Sequence, residues 1–169
     1  MLRIGICEDD LQTREALYEV ISRTLFQYTE MEFAYYNDGD DVIHAVMEDN
    51  LRLDLLFLDI HMQKVSGMKT AEFIRKNGVD VDIIFMTISG EHVFEGYKYK
   101  AFAYCLKPIE SSSVQDVLIQ YMEERKEISD CINVSINGKK VRIPLNKILY
   151  FESHSCFSPY KNVHWFINE

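Results

Sequence analysis

Carboxylate side chains follow two separate apolar runs of the sequence. Glu8 and Asp9 come directly after the run Leu2–Cys7, and Asp59 ends the run 54–59. Two carboxylates about 5 Å apart repel each other by roughly 3 kcal/mol at an effective dielectric constant near 20. If the fold brings the three carboxylates together, a divalent cation bound between them would offset the repulsion. Mg²⁺ prefers oxygen ligands such as carboxylates. The residues therefore predict a Mg²⁺ site.

Two further polar residues follow apolar runs in the same way. Thr87 ends the run 81–87, and Lys107 comes directly after the run 102–106. Lysine would add one positive charge to the acidic residues, and threonine would add a hydroxyl donor. Three carboxylates, Mg²⁺ and one lysine balance in charge, which suits the transfer of a phosphoryl group to a carboxylate.

The apolar runs alternate with helical patterns over the first 125 residues. The remaining run, Met31–Tyr36, brings the number of predicted strands to five. Helical patterns occupy the ranges 17–25, 40–49, Gly67–Lys76, 91–100 and 114–122. We therefore predict the α/β fold class, with a five-stranded, doubly wound parallel sheet and helices on both faces. We take its strand order as 2-1-3-4-5, one of the two common orders of such sheets.

This sheet order determines where the polar residues meet. In a doubly wound sheet, ligands bind beyond the carboxyl ends of the strands, where the strand order reverses. The first and third strands are neighbours in the order 2-1-3-4-5, so Glu8 and Asp9 should lie beside Asp59. The acidic residues are then expected to form one pocket.

The composition is that of a globular protein with an uneven charge distribution. The 169 residues are 47% hydrophobic and 27% charged, which excludes a disordered or low-complexity chain. The formal net charge is −9: residues 1–125 carry 12 Lys and Arg against 23 Asp and Glu, and residues 126–169 carry 6 against 4. An acidic main body repels nucleic acid and anionic lipid, so any DNA contact should involve the C-terminal segment.

Cysteine usage and the length of the apolar runs indicate a reducing compartment. The four cysteines form no CxxC pair, and Cys7 and Cys105 lie in apolar runs, where cysteine acts as a small hydrophobic residue. No apolar run approaches membrane-spanning length, and acidic residues come too early for a signal peptide. We predict a cytoplasmic protein with no membrane contact.

The C-terminal segment has a different pattern from the first 125 residues. Two stretches of alternating apolar and polar residues, 132–136 and 141–145, flank Asn137-Gly138. An Asn-Gly turn between them pairs Val134 with Val141 on one face, which predicts an antiparallel hairpin. A short β-rich segment should therefore follow the α/β domain.

The ordered set of polar residues resembles the receiver domain of two-component response regulators over roughly residues 1–125. The matching residues are Glu8-Asp9, Asp59, Gly67, Thr87 and Lys107-Pro108. The resemblance implies that Asp59 accepts a phosphoryl group from a sensor histidine kinase. It also implies that Glu8, Asp9, Asp59 and the backbone carbonyl of His61 hold Mg²⁺.

The same resemblance implies roles for residues near the pocket. Thr87 and Lys107 would contact the phosphoryl oxygens, and Tyr104 would be an aromatic switch residue, with homodimerisation as the readout. The Lys107–Pro108 peptide bond would be cis. One departure from the receiver pattern is Gln63, where receivers usually have proline, and it should loosen the loop after Asp59.

Residues 132–153 resemble the opening of the LytTR family of DNA-binding domains. The resemblance rests on the predicted hairpin and on the following Lys147-Ile148-Leu149-Tyr150-Phe151-Glu152-Ser153. It implies three parts: a receiver domain over 1–125, a linker over 126–131 and a partial LytTR-like segment over 132–169. Because that segment covers only the beginning of such a domain, the chain looks truncated, and we expect weak or absent DNA binding.

The resulting hypothesis is a response regulator that is phosphorylated on Asp59 to control transcription. The alternative is a receiver-only signalling or adaptor protein that binds no DNA. We do not predict an enzyme: haloacid-dehalogenase phosphatases usually carry a second Asp two residues after the nucleophile, and His61 stands there instead. A flavodoxin-like FMN site would need a Ser/Thr/Gly-rich loop after the first strand, where this chain has acidic residues.

Simpler interpretations exist for several of these residues. Asp10 is expected to cap the first helix rather than to belong to the site, and Tyr104 could be an ordinary core residue. His154, Cys156 and His164 have a spacing that fits no standard zinc site. We predict no metal there.

Overall fold

The computed structural model describes residues 1–48, 51–88, 97–129, 131–136, 139–144, 148–154 and 162–167. Of the described residues beyond 125, the structure describes the backbone and not the side chains. The chain divides into two compact units, Met1–Ile119 and Gln120–Glu169. Each unit is described by itself below.

The first unit contains a parallel sheet of five strands. They are β1 (Leu2–Cys7), β2 (Met31–Tyr36), β3 (Leu55–Asp59), β4 (Asp82–Thr87) and β5 (Ala103–Leu106). The strand order is β2-β1-β3-β4-β5, and every pairing is parallel. The predicted fold class and strand order are confirmed. Three of the predicted runs begin one residue before the observed strand.

Four α-helices are described: α1 (Leu11–Leu25), α2 (Gly39–Met47), α3 (Gly67–Lys76) and α4 (Ser111–Ser129). Asp10 precedes α1, and its side chain accepts a hydrogen bond from the backbone N–H of Thr13 at 2.8 Å, which confirms it as the N-cap. Most of the helix predicted over 91–100 lies outside the described residues, and Tyr97–Tyr99 forms a short 3₁₀ turn.

The central strands are buried because helices cover both faces of the sheet. All five residues of β3 are buried, which agrees with its continuously apolar sequence. Helix α1 packs through Leu17, Ile21 and Leu25, the apolar stripe seen in the sequence. The buried face of α1 therefore lies within the helical pattern predicted over 17–25.

The strand register places the carboxyl ends of β1, β3 and β4 at one edge. Cys7 pairs with Leu58, and Asp59 pairs with Met86. Glu8, the residue after Cys7, consequently lies beside Asp59, and Thr87 follows Met86 directly. This arrangement forms the edge on which the candidate site lies.

The second unit contains two antiparallel strand pairs. The first pair is β6 (Cys131–Ile136) with β7 (Lys139–Pro144), and the second is β8 (Ile148–His154) with β9 (Asn162–Ile167). In the first pair Val134 lies opposite Val141, which confirms the predicted hairpin. The predicted Asn137-Gly138 turn lies outside the described residues, as does Cys156.

Helix α4 extends further than the sequence analysis expected. It continues to Ser129 and so includes most of the predicted linker 126–131. Glu and Lys are good helix formers, and the stretch 123–129 contains no Gly or Pro to end the helix. The division into a receiver over 1–125 and a LytTR-like segment over 132–169 stays a prediction. No helix in the described part of the chain is long and apolar enough to cross a membrane.

Candidate functional site

Three carboxylates meet at the carboxyl edge of the sheet. One oxygen from each of Glu8, Asp9 and Asp59 lies within 4.8 Å of the other two. Glu8 and Asp59 are buried, with Asp59 only 2% exposed, and Asp9 is exposed. The convergence of the acidic residues predicted from the strand order is therefore observed, and the cluster is open to solvent on the side of Asp9.

Lys107 forms ion pairs with the two buried carboxylates. Its Nζ lies 2.7 Å from Oε2 of Glu8 and 2.9 Å from Oδ2 of Asp59, and its side chain is 18% exposed. The backbone N–H of Lys107 donates to the carbonyl oxygen of Thr87 at 2.7 Å, which ties the end of β5 to the end of β4. The Lys107–Pro108 peptide bond is cis, as the receiver resemblance implies.

Burial and charge shift the pKa values of this cluster. Burial raises the pKa of Glu8, the nearby Asp59 carboxylate raises it further, and Lys107 opposes the change only in part. Burial alone would lower the pKa of Lys107, but its hydrogen bonds and ion pairs with Glu8 and Asp59 raise it overall. Lys107 is consequently held in its charged form between two carboxylates.

Thr87 and Tyr104 lie on neighbouring strands next to this cluster. Thr87 is fully buried at the end of β4. Tyr104 lies on β5, with its ring stacked on Phe85 at a centroid distance of 5.4 Å and an interplanar angle of 25°. Its hydroxyl oxygen is buried and has no hydrogen-bond partner among the described residues, and burial raises the pKa of Tyr104. Tyr104 is therefore a partly buried packing residue with an unsatisfied polar end.

The loop after β3 begins against the site. The backbone N–H of Ile60 donates to the carbonyl of Met86 at 3.0 Å, and the N–H of His61 donates to Oδ1 of Asp59 at 3.2 Å. At the other end, a Cβ on Gly67 would contact the carbonyl oxygen of Asp59 and lie 2.9 Å from its carbonyl carbon. A side chain at residue 67 would displace the Asp59 backbone, which explains why glycine follows Asp59 by eight residues.

Comparison with known proteins assigns this arrangement to a family. The family model described as the response regulator receiver domain matches residues 4–119. The chain belongs to this family. The receiver resemblance noted in the sequence is thereby confirmed, and the matched range includes each polar residue of the cluster.

Three similar proteins place the receiver among bacterial regulators. The transcriptional regulatory protein YpdB of Escherichia coli (strain K12) is 26% identical over 167 residues, covering 90% of this chain and 66% of its own length. The sensory transduction protein LytT of Bacillus subtilis (strain 168) is 26% identical over 128 residues, covering 76% and 51%. The response regulatory domain of mrkE from Klebsiella pneumoniae superposes with a TM-score of 0.61 at 27% identity, covering 73% of this chain and 99% of that domain. The chain thus spans between half and two thirds of the length of these two regulators.

The donor set of the receiver fits Mg²⁺. Three carboxylates supply hard oxygen ligands within 4.8 Å of one another, and Lys107 neutralises only part of their charge. Among the described residues, Glu8, Asp9 and Asp59 form the group of three or more acidic, His or Cys side chains whose ligand atoms lie close enough to hold one metal ion. The stretches 148–154 and 162–167, which carry His154 and His164, are described by their backbone, so the prediction that they hold no zinc stays untested.

One residue of the receiver escaped the sequence analysis. Asp38 is 5% exposed, and its carboxylate accepts hydrogen bonds from the backbone N–H groups of Asp40, Lys64 and Val65 at 3.2, 2.9 and 2.9 Å. The sequence Asn37-Asp38-Gly39 after β2 is a recognisable helix start. No local pattern indicates that the same carboxylate binds the loop after Asp59.

Proposed function

We propose that Asp59 accepts a phosphoryl group from a sensor histidine kinase and that this phosphorylation regulates the protein. The observation that carries the proposal is the buried Asp59 carboxylate with Lys107 Nζ at 2.9 Å, beside the carboxylates of Glu8 and Asp9. A buried nucleophile between a cation and two potential metal ligands has the chemistry that phosphoryl transfer needs. Thr87 completes the proposed set.

In the proposed reaction, an oxygen of Asp59 attacks the phosphorus of the donor. The new O–P bond forms as the N–P bond of a phosphohistidine breaks, and the electron pair leaves with the imidazole nitrogen. When bound, Mg²⁺ held by Glu8, Asp9, Asp59 and the His61 carbonyl would offset charge on the phosphoryl oxygens. Lys107 supplies a fixed positive charge on the same side of Asp59, and Thr87 supplies a hydroxyl donor.

Phosphorylation changes the charge on residue 59 from −1 to roughly −2. We propose that Thr87 then moves toward the phosphoryl oxygens and that Tyr104 turns into the space it leaves. Two observations support Tyr104 in this role: its ring stacks on Phe85, and its hydroxyl has no hydrogen-bond partner in the part of the chain that the structure describes. Homodimerisation is the proposed readout, and sedimentation with and without phosphorylation tests it, because a protein that stays monomeric in both states would contradict it.

Control of transcription is the second part of the proposal. YpdB is named a transcriptional regulatory protein, and the hairpin β6–β7 fits the LytTR resemblance of residues 132–153. The alternative, a receiver-only adaptor, is distinguished by a gel shift of the phosphorylated chain with candidate promoter DNA at physiological salt. Binding near 10⁻⁸ M would indicate an intact DNA-binding module. Weak DNA binding and a cytoplasmic location stay predictions.

The test of the proposal uses acetyl phosphate, a small acyl phosphate, with Mg²⁺. The wild-type protein should gain the mass of one phosphoryl group, and Asp59→Asn should gain none. Asp116→Asn is the matched control, since Asp116 is an exposed acidic residue on α4. Equal phosphorylation of wild type and Asp59→Asn would overturn the assignment.

A further inference from the structure

Asp38 is a buried acidic residue that lies on a different element from the proposed acceptor. It precedes α2 and is 5% exposed. Its Oδ1 accepts from the N–H of Asp40 at 3.2 Å, which caps α2. A helix cap needs only this local bond. The other two hydrogen bonds of the carboxylate are what distinguish Asp38 from an ordinary cap.

Those two bonds go to the loop between β3 and α3. The N–H of Lys64 donates to Oδ2, and the N–H of Val65 donates to Oδ1, both at 2.9 Å. The pKa of Asp38 is lowered, because these backbone donors outweigh the effect of burial. The carboxylate is therefore charged, and charge-assisted hydrogen bonds are stronger than neutral ones.

Tight packing supports the same contact between α2 and the loop. A Cβ on Gly39 would contact Oγ1 of Thr70 and lie 2.6 Å from the carbonyl oxygen of Val65. The start of α2 thus lies directly against the loop and against α3. A side chain at residue 39 would separate them.

Hydrogen bonds consequently hold the loop on both sides of residues 61–63. Ile60 is bound through its N–H to the Met86 carbonyl at 3.0 Å, and the residues that follow Gln63 are bound to Asp38. The segment with the His61 carbonyl lies between these two anchors. Gln63 leaves the backbone dihedral φ unrestricted, whereas proline would fix it. His61 and Gly67 also donate backbone hydrogen bonds, to Asp59 Oδ1 at 3.2 Å and to the Ile60 carbonyl at 3.1 Å. The bonds to Asp38 add the anchor on the C-terminal side of this segment.

We propose that Asp38 is a positioning residue for the acidic site, which fixes the loop after Asp59 through the backbone N–H groups of Lys64 and Val65 and thereby pre-organises the His61 carbonyl for a divalent cation. The inference rests on the proposed function, because it assigns that carbonyl to the cation site. Without the anchor, cation binding would include the entropic cost of ordering the loop. Partners that orient metal ligands typically change metal affinity by about 10- to 100-fold.

The test compares three variants of the full chain. Asp38→Ser keeps a hydroxyl that can cap α2 but cannot serve two N–H groups of another loop. Asp38→Asn keeps the shape and one acceptor oxygen. Asp41→Ser is the matched control, because it removes the same charge from the same turn. Among the described residues, the hydrogen bond that the Asp41 carboxylate accepts is a local one, from the N–H of Asn37 at 2.9 Å.

The measurement is the Mg²⁺ concentration that gives half of the maximal rise in melting temperature. Asp38→Ser should raise this concentration by about tenfold or more, Asp38→Asn should raise it less, and Asp41→Ser should change it by less than about twofold. Hydrogen exchange in the absence of Mg²⁺ should show faster exchange of the Lys64 and Val65 amides in Asp38→Ser, a smaller increase in Asp38→Asn and no change in Asp41→Ser.

The outcomes separate this inference from the proposed function. Equal Mg²⁺ dependence in Asp38→Ser and wild type, or an equal shift in Asp38→Ser and Asp41→Ser, would overturn the positioning role. If Asp38→Ser does not fold, the comparison of Asp38→Asn with Asp41→Ser decides the question in the same way. A wild-type protein that shows a Mg²⁺ response but no phosphorylation would instead overturn the proposed function.

Discussion

Asp59 and Lys107 form a 2.9 Å ion pair although their strands are not neighbours in the sheet. Asp59 ends β3, Lys107 follows β5, and β4 lies between them. The lysine side chain spans the end of β4 and also lies 2.7 Å from Glu8. One cation at the end of β5 therefore compensates two buried carboxylates at the ends of β1 and β3, and the acidic site depends on it when no metal is bound.

Replacing Lys107 with methionine should destabilise the metal-free protein. Breaking a buried ion pair leaves an uncompensated charge, which typically lowers the free energy of unfolding by about 3–5 kcal/mol. Because Lys107 is partly exposed, we expect a loss near the lower value. Urea unfolding at neutral pH measures the change. Lys76→Met is the control, because its pair with Glu72 is just as short at 2.8 Å but 71% and 45% exposed, and the loss there should stay below about 1 kcal/mol. Equal losses in both variants would contradict this account of the site.

Mg²⁺ should raise the melting temperature of the wild-type protein. Ligand linkage adds about 2.7 kcal/mol of stability at a free concentration one hundred times the dissociation constant. Asp9→Ala should lose most of this response, since Asp9 is the exposed member of the carboxylate cluster. Asp10→Ser is the control, because it removes the charge next to Asp9 and retains a side chain that can cap α1. Its melting temperature should still rise with Mg²⁺. Persistence of the full effect in Asp9→Ala would move the cation elsewhere.

The stability contributed by Asp38 should depend on pH. Backbone donors lower the pKa of Asp38 below its ordinary value of 3.8 despite burial. Its ionised form therefore stabilises the fold: the contribution is present above pH 3.8 and is lost as pH falls through the folded-state pKa. Asp38→Asn should lower the free energy of unfolding by about 2 kcal/mol at pH 7. This difference from wild type should narrow only below pH 3.8. Denaturant titrations at several pH values measure the difference in free energy of unfolding between wild type and Asp38→Asn. A difference that widens toward acid pH would contradict a lowered pKa of Asp38.

Tyr104→Phe should leave the unphosphorylated protein as stable as wild type or more stable. Its hydroxyl is buried and finds no hydrogen-bond partner among the residues that the structure describes, and removing an unsatisfied polar group relieves a penalty of about 1 kcal/mol. Tyr104→Ala should destabilise the protein, because the stacking on Phe85 is lost. Thermal unfolding of both variants checks this. A clear loss of stability in Tyr104→Phe would mean that the hydroxyl has a partner in solution.

The sequence predicted the sheet and the acidic cluster because both depend on short patterns. The buried strands are continuously apolar, and the polar residue that ends each strand is adjacent to it, so a strand order sufficed to place Glu8 beside Asp59. The extent of α4 was less predictable, since charged residues such as Glu127 are compatible with a helix as well as with a linker.

The contacts of Asp38 could not be predicted in the same way. Its role as a helix cap follows from neighbours within three residues, but its bonds to Lys64 and Val65 connect positions 26 and 27 residues apart. Such bonds depend on how α2 packs against the loop, which no periodicity encodes. The buried hydroxyl of Tyr104, which has no partner within the described ranges, is likewise a property of packing.

The most direct test of the central claim is to locate the phosphoryl group on the chain. After incubation with acetyl phosphate and Mg²⁺, borohydride reduction converts a phosphoaspartate to homoserine, which peptide mass spectrometry can assign to one residue. We expect homoserine at position 59 alone, with none when Mg²⁺ is chelated and none in Asp59→Asn. Homoserine at another aspartate, or an unmodified Asp59 in a protein that binds Mg²⁺, would contradict it.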